Sequence, residues 1–144
     1  MYLLKSETLR LIPMQNRIPF SVWLFTACSW LLGWWMAYDG LRQRLFGDYV
    51  RIDGRLGPWA ALVSQLGVDP QSLGFFFVML GLTLVASSLG LLLGRPWGLN
   101  VGLVASTVSL LYLGFGTPVA FIALISLALA PTRRYLFPPR APAG

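Results

Sequence analysis

With 144 residues, of which 11% are charged and 56% hydrophobic, the chain lies far from the roughly 25% charged composition of a soluble protein. The solvent it expects is lipid. The eleven Lys and Arg against five Asp and Glu give a formal charge of +6, but the basic residues flank apolar segments along the whole chain, so they read as membrane-face charge and no nucleic-acid partner is expected.

Histidine is absent, which excludes imidazole acid/base chemistry, His-ligated haem and direct imidazole ligation of a metal or chlorophyll. No cofactor or metal is expected, and the composition leaves open only a pigment, quinone or lipid held without histidine. Cys28 is the single cysteine, so no internal disulfide forms.

In chain order, Met1 to Ile12 reads as an interfacial helix that Pro13 ends. The first span, 19–38, is marked by Asn16, Arg17 and an early Pro19. It is too long for a signal-peptide core, and Met36-Ala37-Tyr38 is a poor cleavage site. Apolar and small residues continue after Cys28, against a lipoprotein processing site.

The region 39–69 is the one long loop. Within it, Tyr49 to Ile52 followed by Asp53-Gly54 predicts a small hairpin. Trp59, Leu62, Val63 and Leu66 share one apolar face of a short helix that Gly67 terminates. That helix is expected on the membrane surface or over the mouth of the bundle.

From Gln71 to Thr132 the only charged residue is Arg95, a stretch long enough for three crossings of a hydrocarbon core about 30 Å thick. Asp69-Pro70 opens span 70–93, and Gly94-Arg95-Pro96 is a tight turn into span 96–113. Thr117 is the expected cap and Pro118 the first turn of span 117–135, which Pro131 kinks or ends. The tail 136–144 contains no predicted core residue. The expected fold is all-α: a single integral membrane domain, a four-transmembrane-helix bundle with an interfacial helix in the outer loop between helices 1 and 2.

Seven basic residues (Lys5, Arg10, Arg17, Arg95, Arg133, Arg134, Arg140) fall on one side of four such spans. On the other, Arg42, Arg44, Arg51 and Arg55 are matched by Asp39, Asp48, Asp53 and Asp69 in what reads as a salt-bridged surface. The positive-inside rule then puts both termini in the cytoplasm of a multi-pass protein, in a bacterial cytoplasmic or thylakoid membrane.

Small residues recur as Ala86, Gly90 and Gly94, then as Gly98, Gly102, Ser106 and Ser109, spaced for close packing of the second and third spans or for docking of a partner subunit. Gly74, Gly81 and Ser88 form a second stripe that suits the first or fourth helix. Trp34, Trp35, Tyr38 and Trp97 sit at span ends as an aromatic belt requires. Trp23 and Trp30 are expected at mid-depth and, with Trp59, are candidate contacts for a lipid or pigment. Asn100 is the leading candidate for contact with a polar ligand. No span carries a buried acidic or basic residue on this reading, against a proton-coupled pump. No nucleophile has a neighbouring base, so no enzyme is expected.

Gly33 through Asp39-Gly40 at the end of the first span, the outer loop with its helix, and Leu91-Leu92-Leu93-Gly94-Arg95-Pro96-Trp97-Gly98 together resemble DoxX-like small four-helix membrane proteins over about residues 24–130. The loop here is longer than that family's. The resemblance implies action beside partner proteins and no particular activity. The reading as a whole is a non-catalytic accessory or assembly subunit of a larger membrane complex, respiratory or photosynthetic, with membrane lipids and other membrane subunits as partners. The alternative is a small facilitator or channel for a neutral solute or lipid.

Overall fold

Helix α1 (Phe20–Phe46) follows an extended Pro19 and ends at Gly47, whose left-handed φ of 76° lets its N–H bond to the Gln43 carbonyl at 2.8 Å. The computed structural model describes residues 17–139, so the expected N-terminal helix, Asn16 and the last residues of the tail lie outside the described part. The expected boundary after Tyr38 is corrected: the loop starts eight residues later than 39. The physical reason is the buried stripe Leu32, Met36, Asp39 and Gln43, which keeps helical period through the charge. At about 1.5 Å per residue α1 is roughly 40 Å long, more than a bilayer core requires.

The expected hairpin is reduced to one bridge. Ile52 and Arg55 exchange backbone hydrogen bonds of 3.2 and 3.1 Å around Asp53 (φ 54°) and Gly54 (φ 73°), a turn needing positive φ at both central residues. There is no longer ladder to extend it, and two strands alone are marginal.

Helix α2 (Pro58–Gln65) follows and stops at Gly67, φ 78°. Asp69 accepts the Gln71 N–H at 3.0 Å and caps a 3₁₀ turn, Pro70–Leu73, which runs into α3 (Gly74–Leu92). Gly94, φ 66°, reverses the chain, with the Arg95 N–H bonded to the Gly90 carbonyl at 2.9 Å.

Helix α4 (Pro96–Ser109) stops short of the expected Leu113, and turns occupy Leu110 to Phe115. Helix α5 (Gly116–Ala128) starts one residue before Thr117, whose hydroxyl donates back to the Leu110 carbonyl at 3.2 Å instead of capping. At Leu129 the backbone turns extended, and α6 (Ala130–Leu136) leaves at 57° with Pro131 in its first turn. Proline lacks the N–H and crowds the preceding turn, so the helix breaks there. Leu136 is buried, so the chain packs one residue further than the expected tail boundary.

Two segments, Phe20–Phe46 and Pro70–Leu92, are long and apolar enough to cross a membrane. The bent pair α5–α6 passes the same test as one broken span. Helix α4, at 14 residues, rises only about 21 Å.

Helix α1 lies most extensively along α3; α3 packs on α4, α4 on α5, and α5 returns to α1. The α1–α3 contact is antiparallel and close because glycine faces glycine. A Cβ on Gly33 would stand 2.6 Å from the Gly81 carbonyl oxygen, and Gly40 meets the Gly74 carbonyl in the same way. Two apolar clusters fill the interior. Val22, Phe25, Leu91, Leu99, Ala123 and Leu127 occupy the end bearing Arg95, while Leu32, Met36, Trp59, Phe77, Leu84 and Tyr112 lie towards Asp39.

Candidate functional site

Asp39 is the residue that the reading of the sequence misplaced. It is only 1% exposed and lies inside a helix long enough to span a membrane, which overturns both the expectation of no buried charge and that of a fully salt-bridged acidic surface. Among the described residues the one ion pair is Arg51–Asp48 at 2.8 Å. Asp39 is satisfied by hydrogen bonds instead: Oδ1 accepts the Val50 N–H at 2.7 Å and Oδ2 accepts the Tyr112 hydroxyl at 2.8 Å. Trp35 Nε1 in turn donates to the Tyr112 oxygen at 3.2 Å. The carboxylate thereby ties α1, the returning loop and the segment after α4 to one point.

Aromatic rings close over it. Trp59 stacks on Tyr112 with centroids 5.7 Å apart and stands edge-on to Tyr49 and Phe77, each at 4.9 Å. Tyr49 donates its hydroxyl to the Pro70 carbonyl at 2.6 Å. Burial, and then the negative charges of Asp39 and Asp69, hold that hydroxyl above the ordinary tyrosine range, so it remains a neutral donor. Close by in sequence, Gln43 donates from Nε2 to the Gln71 carbonyl at 2.7 Å.

Trp59 is therefore buried in the core; α2 is a cover with one indole driven inward, and Leu66 is left exposed. Beside Trp59 lies a cavity of about 220 Å³ whose wall is almost wholly carbon, shared by α2, α3 and α4 with Met36 behind.

The other sequence candidates separate. Gly74 and Gly81 serve the α1–α3 contact with Gly40 and Gly33, and Ser88 on the same stripe accepts the Trp30 indole N–H at 3.0 Å. Gly90 and Gly98 lie in the α3–α4 hairpin, where a Cβ on Gly98 would meet the Ser87 carbonyl at 2.7 Å and one on Gly90 the Trp97 ring. Gly94 is a turn residue and not part of a packing stripe, because it needs its positive φ. Gly102 faces Phe25 of α1 and Leu127 of α5 rather than α3. Asn100, the candidate for contact with a polar ligand, is exposed on α4. Trp23 is 53% exposed in the first turn of α1, at the opposite end of that helix from Asp39.

A helical spacing of three to four residues joins Leu32 and Met36 to Asp39 and Gln43, a signal in the sequence that runs past the first charged residue. No group of three or more metal-ligating side chains is present among the described residues. Comparison with protein-family models, curated proteins and solved structures finds no match for this chain.

Proposed function

We propose that the chain is a non-catalytic accessory subunit of a larger membrane complex, docking through the outward face of α1. The observation that carries this reading is the division of α1 into two faces. One face is locked inward by Gly33, Asp39 and Gly40, while the other shows Trp23, Leu31, Trp34 and Tyr38, each more than half exposed. Large, rigid aromatic side chains supply contact area at low entropic cost and are enriched where proteins meet. The DoxX-like resemblance of the Gly33–Gly40 and Leu91–Gly98 segments accords with a protein that works beside others.

The topology proposed with it is a bundle of four crossings with both termini cytoplasmic and the Asp39 end outward. Support comes from the tight Gly94 reversal, which makes α3 and α4 antiparallel neighbours, and from the turns of Leu110 to Phe115, which extend the reach of the short α4. The distribution of Lys and Arg sets the direction. Single cysteines at Asp53 and Arg95 on a Cys28→Ala background should label from opposite sides of the membrane; labelling from one side removes this topology.

Phe25, Leu32, Met36 and Leu84 are buried to within 1% exposure and fill the interior, so a facilitator reading gains no support from the packing. The docking face is tested by placing a photoreactive amino acid at Trp34 or, as a control, at Leu89 on α3, and irradiating intact membranes. Specific adducts from Trp34 and none from Leu89 are expected. Equal, diffuse labelling from both would discard α1 as the docking face.

A further inference from the structure

We propose that the cavity beside Trp59 is a binding site for one acyl chain of a lipid in the adjoining leaflet. Its floor is built from Met36, Trp59, Phe77 and Leu80, all less than a tenth exposed. Its remaining wall includes Leu66, Val68, Phe76 and Leu111, which are 42 to 68% exposed, so the cavity opens through an apolar rim. A ligand that enters past such a rim comes from hydrocarbon and not from water.

The volume of about 220 Å³ exceeds the roughly 150 Å³ at which an engineered apolar cavity stays dry and admits benzene. The chemistry of the wall narrows the class further. The Tyr112 hydroxyl is committed to Asp39 and the surface that the wall turns to the cavity is almost wholly carbon, so a quinone carbonyl or another polar head meets little there to bond with. A flexible alkyl chain needs none. It would lie against the Trp59–Phe77 edge-to-face pair, with the Asp39 hydrogen bonds behind fixing the Tyr112 ring as one wall. The site does not depend on the partner proposed above.

The test uses the full chain reconstituted in vesicles containing phosphatidylcholine with a photoreactive diazirine midway along one acyl chain. After irradiation, peptide mapping should place adducts on the buried wall, at Met36, Phe77 or Leu80, as well as on outward-facing residues such as Leu89 and Val104. Bulk lipid reaches only the latter, so adducts confined to outward residues would overturn the site. Val108→Trp, which fills the cavity from α4, should abolish the buried-wall adducts and spare those at Leu89 and Val104, the retained labels reporting an intact fold. Val63→Trp, which enters from α2, should do the same if the first variant fails to fold. Buried-wall adducts that persist in a folded, filled variant contradict the proposal. So does stronger labelling of the same wall by a photoreactive benzoquinone, which would reassign the ligand.

Discussion

The hydroxyl of Tyr112 donates to the Asp39 carboxylate across 2.8 Å, joining residues more than seventy positions apart in the chain. With the Val50 N–H on the other oxygen, this contact leaves both carboxylate oxygens partnered at a buried site without a cation among its hydrogen-bond partners. The loop between α1 and α2 is thereby attached to the helices by a short chain of polar contacts that an apolar surround makes strong.

Tyr112→Phe removes one of the two donors and also the acceptor for Trp35 Nε1. Leaving a buried charged acceptor short of a partner costs about 1–3 kcal/mol or more. Thermal unfolding of the purified protein in detergent should show a lowered Tm. An unchanged Tm would mean that Asp39 does not rely on Tyr112. Asp39→Leu additionally orphans the Val50 N–H and should make the loop near Val50 accessible to protease at lower temperature than in the parent protein.

The glycines divide into two kinds, and their substitution should separate them. Gly81→Val pushes a side chain onto the Gly33 carbonyl and the Ala37 backbone, atoms that no rotamer change can clear, so α1 and α3 must part. The loss should exceed the roughly 1–3 kcal/mol typical of an overpacked core. Gly47→Ala has open space and meets only the strain of its φ of 76°, about 1–2 kcal/mol. Denaturation of the two variants side by side in the same detergent should rank them in that order.

The apolar segments were legible because lipid imposes a compositional signature that no later packing detail changes. The Gly74–Gly81–Ser88 stripe was legible too, since a spacing of seven keeps residues on one helical face; that α1 receives it required the fold. Two things were not legible. The end of α1 was hidden because Asp39 looked like a boundary, whereas its charge is absorbed by Tyr112, a residue far away in sequence. The role of Trp59 was hidden because an apolar helical face looks the same whether it meets lipid or core. Only the rings of Tyr49, Phe77 and Tyr112 around it decide the matter.

Trp59→Ala should be the costliest aromatic truncation in the chain, because it removes the ring on which Tyr112 stacks and which Tyr49 and Phe77 meet edge-on. A loss of about 3–5 kcal/mol is expected from denaturation measurements. Trp34→Ala should stay within about 0.5 kcal/mol, since Trp34 is 53% exposed and its ring stands T-shaped to that of Trp30 at 6.5 Å, outside both buried clusters.

That contrast makes Trp34 a probe of partnership separate from folding. The most direct measurement of the central claim is affinity purification from native membranes in mild detergent, followed by native-gel migration and identification of the co-purifying chains. The account predicts that the parent protein migrates far above its 15.9 kDa with defined membrane-protein partners, and that Trp34→Ala, folded as stably, loses them. Migration of the parent as a monomer or small homo-oligomer, with no partner retained, would contradict it.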